Sequence, residues 1–270
     1  MSSFIHPTAI VENGAQLDSN CHIGPFCYIG NNVSIGADTI LHSHVVIDGY
    51  TSIGRENEIF PFACLGMQTQ DLKYTGGKCY VRIGNKNSIR EYVTVHAATG
   101  DGETTVVGDD CLIQAYSHIA HNCILGNGVI ISSGTKAAGH VEIGDYAVVS
   151  GLVGIVQFVH IGKMSFIGGF SKLAKDALPY CIMDGIPAGI IAPNKIGMER
   201  HGKTQESIKA VEKAFKLLIR SSLTITEAVA QLKNDFPLQI EIKDMIDFIK
   251  NSKCGLARLK EKEKELVNNF

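Results

Sequence analysis

Two histidines, His118 and His121, lie three positions apart in residues 114–128, QAYSHIAHNCILGNG. An imidazole can ligate a metal ion, act as a general base, or form hydrogen bonds at a surface. The surrounding pattern does not require histidine, because every sixth residue from Ile113 to Ile131 is aliphatic. The pair therefore indicates a metal site, a catalytic base with a helper, or two polar residues at a surface corner.

A period of six residues extends far beyond this stretch and determines the predicted fold. Aliphatic residues stand at every sixth position from Ile5 to Leu65 and, after interruptions, from Val107 to Leu173, with Ala137 a weaker member. A small or β-branched residue stands two positions before each aliphatic residue. On an extended strand the two side chains therefore point to the same face. We expect Gly, Asn and Asp between the strands to adopt positive φ and form corners.

Three such strands would close one coil of about 18 residues, and stacked coils would enclose aliphatic columns. The predicted fold is thus mainly β: a parallel β-helix over residues 1–192. Two polar, Gly-rich segments, about 66–82 and 97–105, interrupt the period. We expect them to be loops that build a site or reach a neighbouring subunit.

Beyond Ala192 the apolar spacing changes to three and four residues, which predicts a C-terminal α-helical domain over 193–270. The expected helices are one capped by Thr204, one from near Thr226 to before Pro237, one over about 239–251, and a charged one after Gly255. They would cover the open end of the β-helix, where backbone groups are otherwise unpaired.

Composition indicates a cytoplasmic protein without membrane insertion. The 270 residues carry a net charge of −2, and no run approaches the roughly 18 apolar residues of a membrane span. The N-terminus lacks the basic start and apolar core of a secretory signal, and no nucleic-acid partner is expected. The eight cysteines include no CxxC, and Cys21, Cys27, Cys111 and Cys123 share one phase of the repeat with small residues, which predicts buried, reduced thiols.

Charge is unevenly distributed along the chain. Residues 195–270 contain 15 Lys and Arg against 11 Asp and Glu, a balance of +4, whereas residues 1–194 contain 10 against 16, a balance of −6. Charged helices can simply solvate their outer faces. Alternatively, the C-terminal part presents a mildly basic surface to an acidic partner.

Coil spacing separates the two histidines, because residues one coil apart stack in a column with a separation of about 4.8 Å. The predicted columns are His121–Gly139–Gln157, Asn122–His140–Phe158 and His118–Lys136–Gly154. A zinc site of the γ-class carbonic anhydrase type needs histidines in one column. His118 and His121 fall in different columns without ligand-type neighbours, so no metal is expected.

A catalytic site fits the columns better, although polar residues at a corner remain an alternative. His121 could take a proton from a substrate hydroxyl. The backbone N–H of Gly139, one coil away, could stabilise an oxyanion, because glycine lets a carbonyl approach closely. This combination predicts direct acyl transfer, with the nucleophile supplied by the substrate and no cofactor.

Several segments resemble those of one enzyme family. They are QDLKY in the first loop, SIREYVTVH, SHIAHNCILGN, AGHVEIGDYAVV and VQFVHIG. The chain resembles the UDP-N-acetylglucosamine O-acyltransferases, hexapeptide-repeat enzymes that catalyse the first step of lipid A biosynthesis. The resemblance implies a left-handed β-helix, a homotrimer with its sites between subunits, and an acidic acyl carrier protein as donor.

The resemblance also implies residue roles. His121 would deprotonate the 3-hydroxyl of UDP-N-acetylglucosamine as it attacks a (3R)-hydroxyacyl thioester, and Gly139 would supply the oxyanion N–H. Asp71 and Lys73 match positions that hold the sugar nucleotide, and Gly169 matches a position that leaves room for a long acyl chain. The remaining substrate-binding positions are His118, His140 and Gln157 in the groove, and Asn194, Arg200 and His201 near the uridine and phosphates.

Several residues depart from the family pattern. Asn122 follows the expected base where Asp is frequent, so the imidazole loses a carboxylate. Val156 stands in place of His, Ile196 in place of an acidic residue, His201 in place of a basic one, and Lys136 is unexpected beside the groove. Alternative functions are N-acyl transfer to a 3-amino sugar nucleotide, acetyl-CoA-dependent transfer, a carbonic-anhydrase-like zinc protein, or a non-catalytic scaffold.

Overall fold

The hexads form short parallel strands in three sheets. The computed structural model describes residues 2–257. In chain-order numbering, the first sheet contains β1 (Phe4–Ile5), β4 (His22–Ile23), β7 (Ile40–Leu41), β10 (Glu58–Ile59), β13 (Ser88–Ile89), β16 (Leu112–Ile113), β19 (Ile130–Ile131), β22 (Val148–Val149), β25 (Phe166–Ile167), β27 (Cys181–Gly185) and β28 (Ala188–Pro193).

The other two sheets consist of the strands that follow around each coil. The second contains β2 (Ile10–Val11), β5 (Tyr28–Ile29), β8 (Val46–Ile47), β11 (Cys64–Met67), β14 (Thr94–His96), β17 (His118–Ile119), β20 (Lys136–Ala137), β23 (Gly154–Ile155) and β26 (Lys172–Leu173). The third contains β3 (Gln16–Leu17), β6 (Ser34–Ile35), β9 (Tyr50–Ile53), β12 (Tyr80–Ile83), β15 (Thr104–Val107), β18 (Ile124–Leu125), β21 (Glu142–Ile143) and β24 (His160–Ile161).

The strand register confirms the predicted coil. Phe4 pairs with His22, a separation of 18 residues, and the same spacing recurs between His118 and Lys136. From the second coil onward, the aliphatic residue of each hexad is buried together with the small residue two positions earlier, as Ile23 and Cys21 are. All eight cysteines are free thiols, and the four on the repeat are buried as the sequence predicts, whereas Cys64 and Cys254 are partly exposed.

The corners differ from the sequence expectation. Positive φ occurs at Phe62, Tyr92 and Tyr116 (64°, 59° and 63°), so the expectation of Gly, Asn or Asp at the corners does not hold generally. A left-handed conformation costs a residue with a Cβ about 1–2 kcal/mol. Here the three rings stack on successive coils with centroids 4.9 and 4.8 Å apart, which offsets part of that cost.

Both chain excursions leave from the same corner of the β-helix, where the second sheet turns into the third. Residues 68–79 connect β11 to β12, and residues 97–103 connect β14 to β15. Both are shorter than the predicted loops, because β11, β12 and β15 each extend to four residues. His121 and Asn122 follow at this corner one coil later, between β17 and β18. The two excursions therefore leave from the two coils that precede the histidine corner.

The chain closes the last coil with a hairpin and then becomes helical. Strand β27 pairs in parallel with β25 and antiparallel with β28. The helical elements are α1 (Lys195–Arg200), α2 (Gln205–Phe215), a π-helical turn (Lys216–Arg220), α3 (Ile225–Asp235) and α4 (Ile240–Asn251). Thr204 caps α2 as predicted, by accepting a hydrogen bond from the Ser207 N–H.

The second predicted helix begins slightly earlier than expected, because Thr224 forms a capping box with Glu227. The predicted helix after Gly255 falls largely on residues 258–270, outside the described residues. The helices are fixed to the coils by the buried Tyr180, whose hydroxyl donates to the Asp244 carboxylate at 2.6 Å. Among the described helices, none is long and apolar enough to cross a bilayer.

Candidate active site

A groove lies along the second sheet beside the histidine corner. Its volume is about 860 Å³, and its lining comes from the 68–79 excursion and from coils that carry β14, β17, β20, β23 and β26. The lining residues are Gln70, Asp71, Leu72, Lys73, His96, His118, Ala120, His121, Lys136, Ala137, Ala138, Gly139, Gly154, Ile155, Val156, Gln157 and Lys172. The groove thus contains most of the predicted polar residues.

His121 is held at the groove wall in a defined orientation. Its side chain is only 8% exposed, and its Nδ1 lies 3.0 Å from the Oδ1 of Asn122. Because that oxygen can only accept a hydrogen bond, Nδ1 carries the proton and Nε2 keeps its lone pair. Nε2 lies 3.7 Å from the Oδ2 of Asp71. The neutral tautomer is therefore set up to receive a proton at Nε2.

Gly139 supports the imidazole from the next coil. A Cβ at this position would lie 2.3 Å from Cε1 and 2.4 Å from Nε2 of His121, so only glycine leaves the ring in place. The N–H of Gly139 meets no acceptor within residues 2–257. Among the described residues, a backbone N–H without an acceptor thus lies one coil away from a basic nitrogen.

Asp71 is presented to His121 by its own loop. The backbone N–H of Lys73 donates to Oδ1 at 3.0 Å, and the Thr99 hydroxyl lies 3.4 Å from Oδ2. The Lys73 N–H and the nearby His121 hold the pKa of this carboxyl below its usual range. An ionised carboxylate therefore faces the imidazole across the mouth of the groove.

The other histidines near the groove have different environments. His118 is tied through Nδ1 to the Thr94 hydroxyl at 2.7 Å, and burial lowers its pKa to about 4. Burial also lowers the pKa of His96, whose ring meets that of His118 edge-on. His140 does not line the groove, but its ring lies 5.2 Å from His121 and stacks on Phe158. These neighbours are neutral near pH 7.

No metal centre is formed by this cluster. Within residues 2–257, no group of three or more His, Cys, Asp or Glu side chains is arranged to hold a metal ion. The two histidines of the opening motif also differ, since Nδ1 of His118 binds a hydroxyl and Nδ1 of His121 binds an amide.

Five predicted substrate-binding residues do not line the groove of this chain: His140, Gly169, Asn194, Arg200 and His201. The Asn194 side chain also has a structural role within this chain. Its Oδ1 accepts from the Gly197 N–H at 3.0 Å and its Nδ2 donates to the Met164 carbonyl at 2.8 Å, so it caps α1. His201 stacks on Tyr146 at 4.6 Å, at a different corner.

Sequence reasoning missed several residues of the site. The Thr94 hydroxyl orients His118, and the Thr99 hydroxyl orients Asp71. Glu103 contacts the side-chain amide of Asn122. Thr99 and Glu103 belong to or border the second excursion. Both excursions leave the β-helix at the corner where His121 lies. Their position in the coil was the one sequence signal that could have pointed to Thr99 and Glu103.

Comparisons with known proteins give a consistent result. A family model described as UDP-N-acetylglucosamine O-acyltransferase, domain 2, matches residues 176–257, and a bacterial transferase hexapeptide model matches residues 14–49 and 104–139. An acyl-[acyl-carrier-protein]--UDP-N-acetylglucosamine O-acyltransferase from Thermodesulfovibrio yellowstonii is 44% identical over 256 residues, covering 94% of this chain and 99% of the relative. The chain belongs to the UDP-N-acetylglucosamine O-acyltransferase family.

Solved structures of this family share the fold. LpxA from Acinetobacter baumannii is 42% identical with a TM-score of 0.91, and covers 94% of this chain and 99% of its own. LpxA from Bacteroides fragilis is 35% identical with a TM-score of 0.92, over 94% and 100% of the two chains. The predicted left-handed β-helix with a C-terminal helical part is confirmed.

Proposed function

We propose that the chain transfers a (3R)-hydroxyacyl group from acyl carrier protein to the 3-hydroxyl of UDP-N-acetylglucosamine. The family relationship supports the acyl transfer, and the name of the 44% identical relative includes both substrates. The observation that carries the mechanism is that His121 and Gly139 both line the groove in close contact on adjacent coils, and that the Gly139 N–H has no acceptor within residues 2–257.

In the proposed reaction, His121 Nε2 removes the proton from the sugar hydroxyl as its oxygen attacks the thioester carbonyl. The carbonyl oxygen becomes negative, and the Gly139 N–H donates a hydrogen bond to it. The C–S bond then breaks, and the thiolate receives the proton from the imidazolium. The ester and the free thiol are formed without a covalent enzyme intermediate or a cofactor.

The loop residues support the placement of the sugar nucleotide. Asp71 and Lys73 lie at the groove mouth, where a carboxylate can accept from sugar hydroxyls and an ammonium can pair with phosphate. His118 is fixed as a neutral hydrogen-bonding group by Thr94. We propose that these residues, with Gln157 and His140, orient the acceptor.

The acceptor can be tested by product analysis. Purified protein is incubated with UDP-N-acetylglucosamine or its 3-amino analogue and a panel of (3R)-hydroxyacyl carrier proteins, and products are identified by mass spectrometry. We expect an O-acylated product from UDP-N-acetylglucosamine. If only the 3-amino analogue gave a product, the reaction would be N-acyl transfer and not O-acyl transfer. Transfer from acetyl-CoA alone, or no product at all, would contradict the proposal.

We further propose a homotrimer in which one subunit completes the groove of the next. The observation that supports this is the separation of the predicted residues within one chain, because Arg200 and His201 lie beside a different corner from His121. A threefold arrangement would bring that corner of one subunit to the open groove of its neighbour.

Mixed oligomers test this arrangement. We expect His121→Ala and Arg200→Ala each to be inactive alone. If the two residues come from different subunits, co-refolded or co-expressed 1:1 mixtures regain about a quarter of the wild-type activity, because random assembly restores that share of sites. No recovery in mixtures that mass photometry shows to be trimers would contradict a shared site.

The charge distribution and the cysteines independently support the proposed donor and location. The balance of +4 over residues 195–270 favours transient docking of an acidic carrier protein. The eight free thiols are typical of a reducing compartment, which supports a cytoplasmic location. We also propose that the chain divides into a β-helical domain up to residue 192 and a helical domain from residue 193.

A further inference from the structure

Asn122 connects the base to a carboxylate that lies outside the groove. Its Oδ1 lies 3.0 Å from Nδ1 of His121, and its Nδ2 donates to the Oε2 of Glu103 at 2.7 Å. The Thr99 N–H also donates to the same Oδ1, at 3.1 Å. A continuous chain of hydrogen bonds therefore runs from the imidazole to Glu103.

The chemistry of the partners determines the orientation of this amide. A carboxylate can only accept hydrogen bonds and a backbone N–H can only donate, so Nδ2 must face Glu103 and Oδ1 must face Thr99. Oδ1 then accepts from Nδ1–H of His121, which fixes the tautomer with a free Nε2. The reversed amide would place two acceptors against each other at Glu103 and two donors against each other at Thr99.

Glu103 is itself held in place for this contact. The Gly100 N–H donates to the same Oε2 at 2.9 Å. The Asn122 amide and this N–H lower the pKa of the Glu103 carboxyl, so it is ionised near neutral pH. Asn122 has φ of 60° and its N–H donates to the Thr105 hydroxyl at 2.8 Å, so its backbone is also fixed.

We propose that Glu103 is a positioning residue for the base: through Asn122 it fixes the His121 tautomer and places a negative charge two hydrogen bonds from the imidazole. This inference rests on the proposed role of His121 as general base. In this chain, the amide and Glu103 together replace the single carboxylate expected beside the base. The second excursion, which carries Glu103, thus becomes part of the catalytic apparatus.

Glu103 is solvent-exposed in the single chain, so its charge is screened and its expected effect is moderate. Several other titratable groups lie near His121: Asp71 at 3.7 Å, the His140 ring, and the more distant His96 and His118. Because those groups are unchanged in Glu103 variants, differences between variants report the contribution of Glu103.

The test is a charge swap between the two positions. We expect Glu103→Gln to lower kcat about tenfold with little change in KM, because the amide network survives without its charge. Asn122→Asp alone is also expected to be impaired, since two carboxylates would face each other at hydrogen-bond distance.

In the double variant Asn122→Asp/Glu103→Gln, the carboxylate moves next to the imidazole, and the amide introduced in the second excursion can donate to it. Its kcat is expected to return to within about threefold of wild type.

The pH profile gives a readout that a purely structural role would not change. A carboxylate stabilises the imidazolium and raises its pKa. The acidic limb of kcat/KM is therefore expected to move to lower pH in Glu103→Gln. In the double variant it is expected to move to higher pH by about one unit. Glu56→Gln is the matched control, since Glu56 lies at another corner near Lys86, and it is expected to match wild type.

The outcomes separate this inference from the proposed function. An inactive His121→Ala together with normal kcat and an unchanged pH profile in Glu103→Gln would overturn the role of Glu103 alone. A double variant no better than either single variant would also overturn it. Normal activity of His121→Ala would instead contradict the general-base assignment itself.

Discussion

Replacement of His121 by alanine is expected to lower kcat several hundredfold or more while the β-helix remains intact. The variant loses a groove nitrogen that is held as a free base by a defined hydrogen bond at the opposite ring atom. General-base assistance contributes about 10²–10⁴-fold to reactions of this kind. Because the imidazole of His121 is mostly buried and held in a fixed orientation, we expect a loss of at least several hundredfold, which lies within that range.

Steady-state kinetics measure kcat with the substrates that the product analysis identifies. Circular dichroism and thermal unfolding show whether the variant keeps the native fold. His22→Ala is the matched control, because His22 is an exposed histidine that stacks on Phe4 in the first sheet, away from the groove. We expect the control to retain wild-type kcat. Turnover of His121→Ala within a few fold of wild type, with a native spectrum, would refute the assignment of His121 as base.

The sequence predicts the fold well because a solenoid is locally encoded. Each hexad fixes one strand, and each strand contacts its equivalent one coil away, so the register follows from counting residues. Hence the stacking of His118 on Lys136 could be predicted and is confirmed. The corners were less predictable, since Tyr92 and Tyr116 adopt positive φ with the help of ring stacking between coils.

The candidate site is predictable only where it belongs to the repeat. His121 and Gly139 lie one coil apart, and the structure places the ring directly over the glycine. Counting fails for the excursions, because loop conformation depends on contacts that no period encodes. The bond from Asn122 to Glu103 could not be derived from spacing for this reason, and neither could the approach of Asp71 to His121.

Asn194 illustrates a different limit of sequence reasoning. Its position relative to family members predicts a ligand contact, and its carboxamide in addition caps α1 and bonds to the Met164 carbonyl in this chain. A motif match identifies a residue type at a position but not the partners that use its polar atoms. Packing between the last coil and α1 determines those partners.

Gly139→Ala is expected to lower kcat at least a hundredfold, although it adds only one methyl group. The new Cβ would lie 2.3 Å from Cε1 and 2.4 Å from Nε2 of His121, far inside van der Waals contact. Gly139 is not among the glycines with positive φ, so backbone strain is not the cause. The imidazole must swing into the groove, which misplaces the base relative to the Gly139 N–H, and a misplacement of about 1 Å can cost 10²-fold.

A matched glycine distinguishes this displacement from a general effect of glycine substitution. Gly151→Ala also lies at a corner, and its Cβ would meet only the Ser133 carbonyl, at 3.2 Å. We expect this control to retain most of its activity, and both variants to unfold within a few degrees of wild type. Comparable losses in the two variants, or normal kcat in Gly139→Ala, would contradict the argument. A large loss confined to Gly139→Ala would instead show that the reaction depends on the fit between one backbone position and one imidazole ring.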